Sequence, residues 1–476
     1  MLPIQRKKRP RPLSAIKNLA LPHYGLTFAS VVYASGSGRR YVVRLPVSSF
    51  NYQAVLHSTA HLSALTTFRR WLLPVFLLLL GVLLAPAAQA QIQLKGIVID
   101  KDTKERLPFA SVAVQGTGNG TATNMEGEFT LKVAKLPVVL LASELGHVRD
   151  TLRITSPTQT IEIALGSASI VLPEVKVGSY PFQLVDRAFR NMQRNYRRKF
   201  YGKAFYRQTT RIDNEPTELQ EVVWNVKSNN ARIEGTAIAQ GRYAGKQAIT
   251  NFSNFSLYTK SYGLFDPSAD TTKSLALLSP NVVKNYELEL KGIVAGADTT
   301  KGGIAEIDFN TRPELTKYKS EGTIWIDIDT YRVVRYRMTT PNFTGGTNNP
   351  DQKFRDTKLD IEMSFQNTEG EVAPLEYMKT NLTATLVSGK DVTPLNVSSF
   401  TFFYDTNTTP TSIPYARVSL QDRDLTAIRS IKYDPEFWAN NPVVRRTPVE
   451  DEVIAAFEKK GAFGTMVKPA PARPAR

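Results

Sequence analysis

From Tyr201 onward the chain alternates apolar and polar residues in one short run after another, and a period of two specifies sheet rather than helix. The runs at 203–211, 218–227, 286–294, 304–309, 322–328, 331–339, 359–366, 375–386 and 398–404 are rich in β-branched and aromatic residues, which suit a pleated, half-buried surface. So many strands predict a large curved antiparallel sheet or half-barrel. Ahead of them Leu184, Val185, Ala188, Phe189 and Met192 recur at helical spacing. They predict one amphipathic helix over 181–196 whose stripe faces a core rather than a membrane.

A second pattern precedes the helix. Between 91 and 177, short strands are punctuated by Asp100-Lys101-Asp102, Gly116-Thr117-Gly118-Asn119-Gly120 and Glu126-Gly127. This is the signature of a small antiparallel β-sandwich, with glycines at the hairpins and Val, Ile and Phe between the sheets. Gly96-Ile97-Val98, Leu107-Pro108-Phe109-Ala110-Ser111-Val112, Gly120-Thr121-Ala122-Thr123 and Glu126-Gly127-Glu128-Phe129 follow in order. That set resembles the carboxypeptidase regulatory-like domain, which implies a transthyretin (prealbumin)-like sandwich. His147, after Gly146, departs from the family's usual aromatic residue. Leu172-Pro173-Glu174-Val175-Lys176-Val177 resembles the segment that leads onward from this domain in TonB-dependent transporters. Such a transporter needs a barrel of about 22 strands, for which the remaining residues are too few. The hairpin at 321–336 resembles a unit of envelope proteins with half-barrel sheets, including lipoprotein carriers. Residues 433–438 and a helix at 450–460 resemble the closing segment of Bacteroidetes-type envelope proteins that begin with the same domain.

Phe68-Arg69-Arg70, the apolar run from Trp71 to Ala85 and Ala88-Gln89-Ala90 form the three regions of a secretory signal over 67–90. Cleavage is expected after Ala90, placing the protein in the periplasm or at the outer membrane. Residues 1–66 read as a disordered leader or one upstream of the true start. With no Met between Met1 and Met125, a later start would use a position such as Leu62 or Leu65, which the intact mass of the precursor decides.

The net charge of +17 raises nucleic-acid binding as a possibility, but residues 1–70 hold eleven bases and no acid. From Gln91 onward 49 bases face 43 acids, so the expectation is no nucleic-acid partner. The absence of cysteine removes disulfides, thiolate metal sites, a thiol nucleophile and a lipoprotein anchor. A zinc carboxypeptidase needs two imidazole ligands, and His147, followed by Asp150 rather than Glu, is the one histidine past Ala90. A Ser-His-Asp hydrolase would need that same histidine and lacks a G-x-S-x-G elbow. The glycine cluster at 116–120 lacks phosphate-loop spacing and reads as a hairpin. Asp327 with Asp329, and Glu287 with Glu289, are two apart on strands and share a face, which could bind a cation or form a glycosidase pair. Both read as solvated faces, with Asp329 opening a turn.

These readings give a mainly β protein: a sandwich at 91–177, a β-rich domain at 178–440 and a C-terminal helix with a Pro/Ala-rich tail at 441–476. No catalytic, cofactor or metal residue is assigned, and no cofactor is expected. The function expected is a non-catalytic envelope accessory or binding protein with an envelope protein or glycan as partner. The alternatives are a carrier of lipid or another apolar ligand and, behind it, a glycan hydrolase using carboxylates alone.

Overall fold

A computed structural model of the chain describes residues 28–34, 40–46 and 92–459, apart from 158–160, 169, 172–179, 247, 268–275, 295–302, 316–318, 344–349, 367–369, 420–421, 441–445 and 447. Phe28–Ala34 (β1) and Arg40–Pro46 (β2) form an antiparallel hairpin in a unit separate from Gln89–Arg476. The rest of the leader, the signal segment, its cleavage site and the segment 172–177 lie outside the described residues.

Seven strands build the sandwich: Ile92–Asp100 (β3), Ser111–Val114 (β4), Gly120–Ala122 (β5), Glu128–Val133 (β6), Val138–Ser143 (β7), Asp150–Ile154 (β8) and Ile161–Leu165 (β9). They pair in the orders β6-β3-β9 and β5-β4-β7-β8, antiparallel except for the parallel pair β3 and β9. Inward residues of both sheets, including Leu94, Val98, Phe129, Leu131, Leu140 and Ile163, make one core. The glycine that opens the family-like signature has a packing reason. Gly96 pairs with Phe129 across the strands, and a Cβ there would lie 2.6 Å from the Phe129 ring and 2.5 Å from the Ile161 carbonyl oxygen. Thr123 fastens the next element: its hydroxyl donates to the Leu107 carbonyl at 2.7 Å and accepts from the Ala110 N–H at 2.8 Å.

Ile170–Val171 (β10) leads to helix Tyr180–Asn195 (α1) and then to Phe200–Ile212 (β11), Glu215–Ser228 (β12) and Ile233–Gly245 (β13). Short helices Ser256–Ser261 (α2) and Val282–Asn285 (α3) carry the chain to Tyr286–Val294 (β14). A meander follows through Ile304–Thr311 (β15), Glu321–Asp327 (β16), Val333–Pro341 (β17), Gln352–Phe365 (β18), Leu375–Ser388 (β19) and Asp391–Asn407 (β20). The result is an open eleven-stranded antiparallel sheet in the order β10-β14-β15-β16-β17-β18-β19-β20-β11-β12-β13. The meander thus returns so that β20 pairs with β11, the first long strand of the sheet to be laid down. Helices Asp424–Arg429 (α4), Pro435–Asn440 (α5) and Pro448–Lys459 (α6) close the described chain.

The period of two distributes side chains to both faces of the sheet. Ala204, Tyr206, Val222, Trp224, Met378 and Phe403 point to one side and pack with Leu184, Val185, Ala188, Phe189 and Met192 of α1. Their neighbours Phe205, Val223, Tyr377 and Phe402 point to the other side, where they meet Ala122 of the sandwich and Trp438 of α5. Besides the two-residue β10, strand β13 is the member of the sheet that the sequence pattern missed. Its Ile-Glu-Gly-Thr-Ala-Ile-Ala-Gln-Gly run is diluted by small residues because the chain near Ala416 crosses it closely. A Cβ on Gly235 would sit 2.9 Å from the Ala416 carbonyl oxygen.

Candidate docking interface on the large sheet

The antiparallel register places seven residues in one transverse row on the face opposite α1. Arg337 stands across from Glu362, Glu362 from Lys379, Lys379 from Phe400, Phe400 from Arg207, Arg207 from Glu221, and Glu221 from Arg242. Charges of opposite sign therefore alternate across β17 to β13, interrupted once by an aromatic ring. Cross-strand neighbours of opposite charge attract, but in a covered row each ion must also replace the water it loses.

One end of the row is covered by α6. Glu221 and Arg242 are each 1% exposed. The Arg207 Nε donates to Glu221 Oε1 at 2.8 Å and the Arg242 Nε to Oε2 at 2.6 Å. The outer guanidinium nitrogens reach α6, Arg207 to Glu450 at 3.2 Å and Arg242 to Glu458 at 3.3 Å. The Arg242 guanidinium also lies 4.8 Å from the Trp438 ring centre, and Val453, Ile454 and Phe457 seal the end against Leu219 and Ala244. Burial pushes the Glu221 carboxyl up, but Arg207 and Arg242 outweigh it and bring it down to about 2.

The middle of the row is covered by the sandwich, while Arg337 at the far end is exposed. Phe109 adopts a left-handed backbone, φ 60°, uncommon for an aromatic residue, and the strand begins two residues later at Ser111. Its ring packs 5.2 Å from Phe400 and 6.4 Å from Tyr377, with the Lys379 ammonium 3.5 Å from its centre. Glu376 is the extra residue of a β-bulge, since Ser364 pairs with Tyr377 but Phe365 with Leu375. It accepts from the Ser364 hydroxyl at 2.9 Å, and burial pushes its carboxyl up. Glu362 accepts from the Tyr377 hydroxyl at 2.6 Å, and Lys379 and Arg335 hold its carboxyl down against the effect of burial.

His147 belongs to this joint. Its Nδ1 lies 2.7 Å from Glu144 Oε2 and its Nε2 2.8 Å from Asp100 Oδ2, while Arg335 of β17 donates twice to Glu144 Oε1 at 3.3 Å. Both ring nitrogens are occupied by carboxylates, so no lone pair is free to take a proton from a substrate. Ser167 donates to Asp100 at 3.0 Å rather than facing the imidazole, which is not the order of a hydrolytic triad. The Thr103 N–H, followed by His147, holds the Asp100 carboxyl well below the usual range.

The family model described as the CarboxypepD_reg-like domain matches residues 94–177, which carry the ordered turns and the Gly96–Phe129 pair. Those residues are a CarboxypepD_reg-like domain. The joint is therefore the surface by which this CarboxypepD_reg-like domain meets the large sheet. Among solved structures, a LolA superfamily protein from Nitrosomonas europaea is 13% identical, with 48% of this chain and 94% of that one covered and a TM-score of 0.21. MucB in complex with MucA(peri) is 9% identical, with 48% and 100% covered and a TM-score of 0.15. No curated protein matches the chain.

The carboxylate pairs lie away from the CarboxypepD_reg-like domain's joint. Strand β16 ends at Asp327, so Asp329 falls in the turn and the two do not share a strand face. Asp327, rather than Asp329, organises that turn, accepting from the Thr330 N–H and hydroxyl at 2.9 Å each. Glu287 and Glu289 are exposed on β14, near Arg312 at 3.7 Å and Lys291 at 3.2 Å. Among the described residues no cluster of three or more His, Asp or Glu could hold a metal ion, and no helix is long and apolar enough to cross a membrane. A cleft beside α1, lined by Asn191, Asn230, Tyr331 and Glu371, has a volume of 20 Å³, room for about one water.

The row also sets a response to pH. Burial lowers the Lys379 ammonium to about 8, with Glu362 acting against it and Arg335 adding to it. Above that value the folded chain has released a proton that the unfolded chain keeps until 10.5, so stability rises with pH across this window. Urea midpoints taken from pH 7.5 to 9.5 are expected to climb in the wild type relative to Lys379→Met. Parallel curves for the two proteins would show that Lys379 does not carry the effect.

Proposed function

We propose that this chain is a non-catalytic accessory or binding protein of the bacterial cell envelope, with the CarboxypepD_reg-like domain as its interaction module. In this reading it is exported to the periplasm or outer membrane and cut after Ala90, and its partner is an envelope protein or glycan. The observation that carries the reading is the engagement of His147 by Asp100 and Glu144, with Arg335 behind Glu144. The groups best suited to acid–base chemistry hold the domain at a fixed attitude on the sheet. A body built this way presents two joined surfaces to a partner.

Native mass spectrometry of the chain, purified gently from an envelope fraction with its own leader, tests this. The expected result is a mature chain beginning at Gln91 that carries a protein or glycan mass. A lipid-sized mass lost on denaturation would transfer the function to the carrier, and a chain retained in the cytoplasm would remove the envelope from the account. Turnover of a glycan abolished by Asp327→Asn would establish the hydrolase instead.

A further inference from the structure

The charge of the folded body is concentrated in one place. Between residues 180 and 200 there are six bases and one acid, whereas the rest of 91–459 holds 39 bases and 42 acids. All six lie on α1 or in the turn that follows it.

Helix geometry turns this run into a face. At 100° per residue, Arg187, Arg190 and Arg194 fall within about 60° of arc, and Val185, Ala188, Phe189 and Met192 lie on the opposite side. The apolar side is buried in the core, and the three arginines are exposed. Arg197 and Arg198, also exposed, extend the stripe past the helix end. Three residues of this region have partners within the protein: Arg190 bonds Asp186 at 2.7 Å, Lys199 pairs with Glu234, and Arg187 donates to the Tyr331 hydroxyl. Cations near a helix C-terminus offset the macrodipole, but that effect fades within the last turn and does not account for Arg187 or Arg190. The acids at the flank are Asp329, in the turn whose Thr330 carbonyl receives Asn191, and Glu371, whose carbonyl receives the same side chain.

We propose that the outer face of α1 docks on an anionic phospholipid surface. The partner follows from the arrangement. Planar guanidinium groups bind phosphate oxygens in pairs. A stripe about 10 Å long between Arg187 and Arg194, parallel to the helix axis, fits a flat array of headgroups better than a single small anion. The helix has no apolar side chain on this face with which to insert, so attachment is electrostatic and sensitive to salt. The proposal deepens the envelope reading by naming a surface the protein would rest on, and it rests on that reading for where such a surface is met.

Vesicle co-sedimentation of the purified mature chain tests it independently of export. Vesicles of phosphatidylglycerol with phosphatidylcholine are expected to bind the protein in low salt and to release it in high salt, whereas pure phosphatidylcholine is not expected to bind it. Each arginine near the surface is worth about fivefold, so Arg190→Gln, Arg194→Gln, Arg197→Gln and Arg198→Gln together should weaken binding by on the order of 100-fold or more. A variant with Lys468, Arg473 and Arg476 changed to Gln, with the helix intact, should bind nearly as the wild type does. Circular dichroism melting of each variant confirms that the fold persists. Wild-type protein left in the supernatant, equal binding to neutral vesicles, or loss of binding in the tail variant alone would each overturn the proposal. So would retention on heparin or RNA without retention on vesicles. None of these failures would contradict an envelope partner found by native mass spectrometry.

Discussion

Glu221→Ala is expected to destabilise the protein by about 3–5 kcal/mol, among the largest effects of any single surface-neutral change. The carboxylate lies between Arg207 and Arg242, and all three are nearly excluded from water. Removing it leaves two guanidinium groups buried on the strands either side of β12 with their main counter-charge gone. Glu450 and Glu458 of α6 remain, but they approach from the rim and Glu458 is half exposed. Urea unfolding followed by tryptophan fluorescence measures the loss, and Trp438 beside Arg242 should report it early. Replacing all three members with apolar residues of similar volume is expected to cost far less, because no ion is then left unpaired. A loss below about 1 kcal/mol for Glu221→Ala would mean that water reaches the row. Acid should act along the same route: this carboxylate's stabilisation is complete above pH 4.5 and declines as the pH falls toward 2.

Phe129→Ala is expected to cost about 3–5 kcal/mol, by removing a fully buried ring from the centre of the CarboxypepD_reg-like domain. The loss is at the upper end because the ring covers Gly96, which has no side chain with which to fill the space. Gly96→Ala should also destabilise, since the Ile161 carbonyl lies within 2.5 Å of the new methyl whatever the ring does. In the double variant the methyl occupies part of the vacated ring volume, so its cost should fall short of the sum of the two. Thermal unfolding of the four proteins checks this. Strict additivity would show that the ring and the glycine do not share a packing site.

Much of this fold is legible in the sequence because each burial decision is local. Nine runs with a period of two gave nine strands, and the five apolar residues of α1 at helical spacing are buried together. The glycine and threonine signature located the CarboxypepD_reg-like domain because those residues answer to close backbone approach and to buried hydroxyl bonding. Strand β13 escaped because its small residues accommodate a crossing chain some 180 residues away. The transverse row escaped for a different reason. Arg207 shares a strand face with Phe205, and Glu221 shares one with Val223, so a charge at an inward position was visible on each strand. That the charges meet depends on register, which no single strand encodes. His147 stood out as a lone imidazole, but Glu144 and Arg335 are 191 residues apart, and only the docking of two domains brings them together.

The return of β20 to β11 fixes an order of events in folding. Strands β11, β12 and β13 are made as a self-paired unit, and the remaining neighbour of β11 follows nearly 200 residues later. Such a distant pairing is slow, because the entropy of closing so large a loop precedes any reward from the contacts it makes. The seam between β20 and β11 is also flanked by long strands on both sides, so an interior junction three strands in from the β13 edge forms last. Chain loss at the C-terminus, beginning within β20, would therefore part the three strands β11–β13 from the other seven rather than trim an edge.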